Sequence, residues 1–171
     1  MLDRIRVDHF ESMVANIVGY FAGVPVHTWS RPGSGKSAMH KTQQTYIQWQ
    51  AQQMSDEIYD DFKTFGLIDN RLSQQEGIDV RGLFKIITDE HGDEFTSTIR
   101  PVWLPTRGTG TIVHDEFNMG DESAKKAVMQ LLTDWMVGTH VLPKSWGQMG
   151  NGNLAKHKGL GKKMTPAEEN R

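Results

Sequence analysis

Apolar side chains recur at helical spacing between Phe10 and Phe21, where Phe10, Met13, Val14, Ile17, Val18 and Phe21 fall on one stripe. That spacing predicts an amphipathic helix, ended by Gly23. Val24–Trp29 is a short β-like run, and the chain from Lys36 to about Gln53 is helix-compatible, with Met39, Tyr46, Ile47 and Trp49 as its expected core side chains. Asp56–Lys63 is acidic and helix-compatible, and Phe65–Ser73 reads as a second strand. Gly77–Leu83 follows, with Asp79 and Arg81 as a surface pair worth little. Lys85–Pro105 is irregular or hairpin-like, and Gly108-Thr109-Gly110 marks a turn. Thr111-Ile112-Val113 is a β-branched run, followed by His114 where an apolar residue is expected; His114 is read as a hydrogen-bonded core residue. Asp121–Val137 predicts a helix with Asp121 as N-cap and Ala124, Val128, Leu131, Leu132, Trp135 and Met136 on one face, ended by Gly138. Val141–Trp146 and the polar, glycine-rich Gly147–Asn153 read as loop. Thr165, Pro166 and Glu168 have the spacing of a helix start. Strand-like runs alternating with helical ones predict an α/β fold with a mostly parallel sheet.

Composition narrows the picture modestly. The 171 residues suit one domain with a core, arranged as an N-terminal helical segment (1–23) and a core (24–171). A net charge of -2 without a basic block argues against bulk nucleic-acid binding. The absence of cysteine excludes disulfides, thiolate metal sites and a cysteine nucleophile. No apolar run approaches the ~20 residues of a membrane span, and the N-terminus lacks a signal peptide's hydrophobic segment, so the expected location is the cytoplasm.

The candidate chemistry lies in two stretches. Ser30-Arg31-Pro32-Gly33-Ser34-Gly35-Lys36-Ser37 joins a strand to a helix and ends in Gly-Lys-Ser, the context of a phosphate-binding P-loop. Gly33 and Gly35 let successive N–H groups turn inward, the helix N-terminus adds its positive end, Lys36 reaches the β- and γ-phosphates, and the Ser37 hydroxyl binds Mg²⁺. Ser30 stands where the motif begins with glycine. In the second stretch, Asp115 and Glu116 end a strand, which in a parallel sheet is the ligand end. Asp115 suits Mg²⁺ through water, and Glu116 suits orienting or deprotonating an attacking water.

From Val24 to Arg171 the chain resembles the MoxR-like, dynein-related branch of the AAA+ ATPases. The segments that carry the likeness are Asp69-Asn70-Arg71-Leu72-Ser73-Gln74 with Asp79-Val80-Arg81-Gly82; Asp115-Glu116-Phe117-Asn118 with Leu131-Leu132 and Leu142–Trp146; and Gly152-Asn153 with Met164, Pro166, Ala167 and Asn170-Arg171. The resemblance implies that Asn153, with Asn151 as a rival, is the sensor residue that helps place the attacking water. It also implies that Arg171 is an arginine finger acting in a neighbouring subunit. Beyond the P-loop entry and His114, the chain departs from the family at Gly147-Gln148-Met149-Gly150, where a buried apolar strand is usual, and in the helical lid, expected after Arg171. The expected function is an ATP-binding, Mg²⁺-dependent ATPase that drives remodelling of a protein partner as a homo-oligomeric ring, hexameric by resemblance. The alternative is a non-hydrolysing nucleotide-binding or structural subunit. ATP and GTP are not distinguished by any base-reading motif.

Overall fold

The computed structural model describes residues 8–153; Arg171 and the helix start at Thr165 lie outside them. The chain runs α1 (His9–Ala22), β1 (Val26–Ser30), α2 (Lys36–Gln52), α3 (Asp60–Lys63), β2 (Gly66–Arg71), α4 (Gly77–Arg81), β3 (Phe84–Thr88), β4 (Glu94–Thr98), β5 (Gly110–Asp115), α5 (Glu122–Asp134), β6 (Met136–Val137), β7 (His140–Val141) and β8 (Trp146–Asn153). The central sheet is parallel with strand order β1-β8-β5-β2. The helices flank this sheet, the β3–β4 hairpin is separate from it, and β6–β7 is a short second hairpin.

The stretch read as loop, Gly147–Asn153, lies within β8, a strand buried at every residue but its last. Its composition misleads because bulky neighbours fill the space above its glycines. His27 and His114 flank Gly150 in register, and a Cβ on Gly150 would lie 2.2 Å from the His27 ring. Trp29 lies over Gly152, Tyr20 over Gly147, and the Trp146 ring spans Gly66 and Gly110. Side-chain volume is supplied across the strands instead of along them. Gly150→Ala is therefore expected to destabilise the fold by roughly 1–3 kcal/mol through overpacking. His27→Ala in the same chain is expected to recover part of that loss, which a double-mutant cycle of urea unfolding measures.

The two faces of the sheet differ in kind. On the α5 face, Leu72, Val80, Ile112, Phe117, Val128, Leu131, Val137 and Leu142 form a core in which each is fully buried. Burial of such a side chain contributes about 1.5–3 kcal/mol. Asp121 caps α5 by accepting from the Ser123 N–H. The helix ends at Asp134, short of Val137, because Trp135 turns into the left-handed region (φ 57°) and Met136-Val137 starts the hairpin through Gly138.

On the opposite face β8 presents Asn151 and Asn153 alongside the buried Met149, and α2 meets the two asparagines with His40 and Lys36. α1 forms where expected, with an Asp8–Glu11 capping box and Gly23 closing it. It buries Ser12, Asn16 and Gly19, however, while Phe10, Val14, Val18 and Phe21 are exposed. Likewise α2 buries Met39, His40, Gln43 and Ala51, and leaves the expected core aromatics Tyr46 and Trp49 exposed and packed on each other. Asp79 does not pair with Arg81: its carboxylate accepts from the Glu76 N–H as part of the α4 capping box.

Candidate functional site

The chain Ser30–Ser37 joins the end of β1 to the start of α2. Gly33 and Gly35 both have positive φ (73° and 86°), a conformation that costs side-chain-bearing residues about 1–2 kcal/mol. Gly35 is the α2 N-cap and brings no side chain, so the first amides of a 17-residue helix carry no cap hydrogen bond. Those amides and the helix dipole make this turn suited to an anion. The His9 ring, at the start of α1, lies 3.1 Å from where a Gly35 Cβ would stand.

Three strand ends meet the loop. Lys36 Nζ donates to Ser30 Oγ at 2.9 Å, to Asn153 Oδ1 at 3.1 Å and to the Arg31 carbonyl at 3.4 Å. Ser30, which replaces the motif's first glycine, thus supplies a hydroxyl that holds the lysine, and it also pairs with the Ser34 hydroxyl. Ser37 Oγ donates to Asp115 Oδ2 at 3.0 Å. Burial lowers the pKa of the Lys36 ammonium from its ordinary value, against the opposing pull of the Asp115 and Glu116 carboxylates. The Lys36, Ser37, Asp115 and Asn153 side chains are therefore joined pairwise at the C-terminal edge of the parallel sheet.

Glu116 follows directly, in the left-handed region at φ 54°. A non-glycine residue held there stores about 1–3 kcal/mol of strain, a cost met where the surrounding structure dictates the conformation. Its carboxylate accepts from the Ser73 hydroxyl, and its N–H donates to Asp115 Oδ1 at 2.9 Å. Beyond this pair, an open groove of about 480 Å³ runs between the Ser73–Glu76 turn and Met119–Asp121.

Asn151 is excluded from the edge: it is fully buried and accepts from His40 Nε2 at 3.1 Å. Asn153 is the asparagine that reaches Lys36. His114 is a core residue, fully buried. Asn70 Nδ2 donates to its Nδ1 at 3.0 Å, so its Nε2–H faces Gln148 Oε1 at 3.3 Å, and Gln148 Nε2 donates to the Leu131 carbonyl at 2.9 Å. Pro32 lies in the turn, and Arg171 is outside the described residues.

Two features of the site had no separate signal in the sequence reading. The Ser73 hydroxyl reaches Glu116 only because the turn after β2 lies beside the turn after β5. Asn118, three residues beyond Asp115, holds the end of β8: its Nδ2 donates to the Asn153 carbonyl at 2.9 Å, and its Oδ1 accepts from the Asn153 N–H at 3.1 Å.

The residues present fit Mg²⁺. Ser37 and Asp115 offer two hard oxygen donors at hydrogen-bond distance from each other, and this ion is commonly held by one or two protein oxygens, waters and substrate phosphates. Parallel strands, a glycine turn leading into a helix, and a carboxylate at the neighbouring strand end together define the P-loop NTPase fold. A crystal structure of a putative ATPase from Cytophaga hutchinsonii shares this fold with a TM-score of 0.54 at 13% identity. The match covers 94% of this chain and 46% of that one, so the chain spans less than half the length of its structural neighbour. No family model matches the chain, and no curated protein does. Among the described residues no helix is long and apolar enough to cross a membrane.

Proposed function

We propose that this chain binds Mg²⁺-ATP at the Ser30–Ser37 loop and hydrolyses it, as an AAA+ core of the MoxR-like, dynein-related kind. The observation that carries the reading is the convergence of Lys36 on Asn153 beside the Ser37–Asp115 pair: four side chains from three elements, α2, β5 and β8, joined pairwise at one sheet edge. The loop amides bind the phosphates. Lys36 exchanges its contacts with Ser30 and Asn153 for phosphate oxygens and neutralises charge that develops during transfer. Ser37 and Asp115 would hold Mg²⁺, which when bound supplies further neutralisation of phosphate charge. Glu116 accepts or orients the proton of the attacking water, and Asn153 positions that water. Arg171 serves the nucleotide of an adjacent subunit in a ring, and turnover works on a protein partner; both points rest on the family resemblance.

Lys36→Ala removes the one loop cation held between β1 and β8 and is expected to weaken ATP binding by at least about tenfold, roughly 1.4 kcal/mol. Calorimetric titration checks this, and equal affinities for the two proteins would sink the assignment of the loop. Phosphate release measured against protein concentration tests the ring: a steep rise is expected if a neighbour's arginine completes the site, and a flat specific activity counts against it.

A further inference from the structure

We propose that Asn118 is a positioning residue, whose carboxamide fixes Asn153 against Lys36; the inference rests on the ATPase reading of the site. The β5–β8 ladder ends at His114↔Gly150, while β8 continues to Asn153 along β1. β5 meanwhile ends at Asp115, which still pairs with Arg71 of β2, and the left-handed Glu116 turns the chain out of the sheet. The N–H and C=O of Asn153 would therefore face a side where no strand runs. Buried backbone groups in that position need a donor and an acceptor together. A carboxamide is a side chain that offers both in the geometry of a peptide group. Asn118, 2% exposed, does this with its two bonds of 2.9 and 3.1 Å.

The consequence is a closed circuit. Asp115 bonds Ser37, the neighbouring Lys36 bonds Asn153, Asn153 is clasped by Asn118, and Asn118 lies three residues along the chain from Asp115. The carboxylate turn and the strand end that carries the water-positioning side chain are thereby held in one geometry. Asn118 reaches this arrangement through the backbone of Asn153, so it acts on the reaction through Asn153. An isolated last strand residue frays readily, and displacement of a positioned group by about 1 Å costs on the order of a hundredfold in rate.

Two readouts test this. In Asn118→Ala, amide hydrogen exchange at Asn153 is expected to accelerate by about tenfold or more, with Met149 and Asn151 unchanged, because local opening there loses its partner. In the same variant kcat is expected to fall roughly 10- to 100-fold with KM and ATP affinity within about threefold, the pattern of a lost transition-state arrangement. The double variant Asn118→Ala/Asn153→Ala is expected to be no slower than Asn153→Ala alone, since both act through one side chain. Losses that multiply in the double variant, or Asn153 exchange that does not change, overturn the proposal. If Asn118→Ala does not fold, Asn118→Asp keeps the shape and the acceptor and sets an oxygen in place of the donor against the Asn153 carbonyl, and the same readouts apply. Wild-type protein that binds no ATP defeats the proposed function instead, and the exchange measurement then decides the clasp without turnover.

Discussion

Glu116→Gln is expected to leave ATP affinity within a few-fold of wild type and to lower turnover by roughly 10²–10⁴-fold, the usual contribution of a general base. The substitution keeps the side-chain length and an oxygen able to accept from the Ser73 hydroxyl. It removes the charge that would draw a proton from water. Binding depends on the loop amides, Lys36 and the Ser37–Asp115 pair, none of which uses the Glu116 carboxylate as a hydrogen-bond partner. The backbone at Glu116 is also unchanged by the swap, so its left-handed conformation is retained. Single-turnover phosphate release and calorimetric ATP binding, measured on both proteins, check the two halves separately. Turnover of the variant within about threefold of wild type would remove Glu116 from the base role. Bound ATP with no release from wild type would identify the chain as a non-hydrolysing nucleotide binder.

Acidification is expected to unfold the protein well above the pH at which its carboxylates alone would do so. Burial pushes the His114 imidazole down to about 3, and burial likewise lowers His27 and His40 from their ordinary value. The unfolded chain binds these protons near pH ~6.5, whereas the folded chain takes them up only at lower pH, for His114 at about 3. Above that pH both states are neutral and the groups contribute nothing. Between there and the folded pKa the unfolded state holds more protons, so stability falls as pH falls. For His114 the slope is about 1.4 kcal/mol per pH unit, or roughly 3 kcal/mol lost by about pH 4.5. Urea unfolding at a series of pH values reads this slope. His114→Gln leaves an amide between Asn70 and Gln148 and is expected to flatten the slope by about one proton's worth. An unchanged slope in that variant would mean that His114 is protonated in the folded state.

The buried histidines also show where the amino-acid pattern misleads. Hydropathy assigned Phe10, Val14, Val18 and Phe21 to the inside of α1, and Tyr46 and Trp49 to the inside of α2. The same property assigned Gly147–Asn153 to a loop. The first two departures lie on one side of the sheet, where β8 carries Asn151 beside the apolar Met149 and where α1 and α2 bury Ser12, Asn16, His40 and Gln43; the third comes from the rings that cover the glycines of β8. Asn16 is fully buried with neither amide atom hydrogen-bonded among the described residues. An unsatisfied buried group of this kind costs about 1–3 kcal/mol. Asn16→Leu is accordingly expected to stabilise the fold, by about 1 kcal/mol in urea unfolding.

Local chemistry by itself determined the parts that depend on few neighbours. Gly33, Gly35 and the Lys36-Ser37 pair specify the phosphate turn, because positive φ and a helix start are set within a few residues. Thr111–Val113 ending at Asp115, and Asp121 capping α5, follow from β-branching and capping within one element. Tertiary structure alone decided what hangs on volume and register between distant segments. Gly150 is tolerable in a central strand only because His27 and His114 lie beside it, from positions more than a hundred and more than thirty residues earlier. Asn151 and Asn153 share one face of β8, and Asn153 rather than Asn151 meets Lys36 because the register with β1 sets Asn153 beside Ser30 at the strand end and Asn151 two residues inside it. Asn118 clasps Asn153 because the β5–β8 ladder stops three residues before β8 ends, a coincidence of strand lengths that no local pattern encodes.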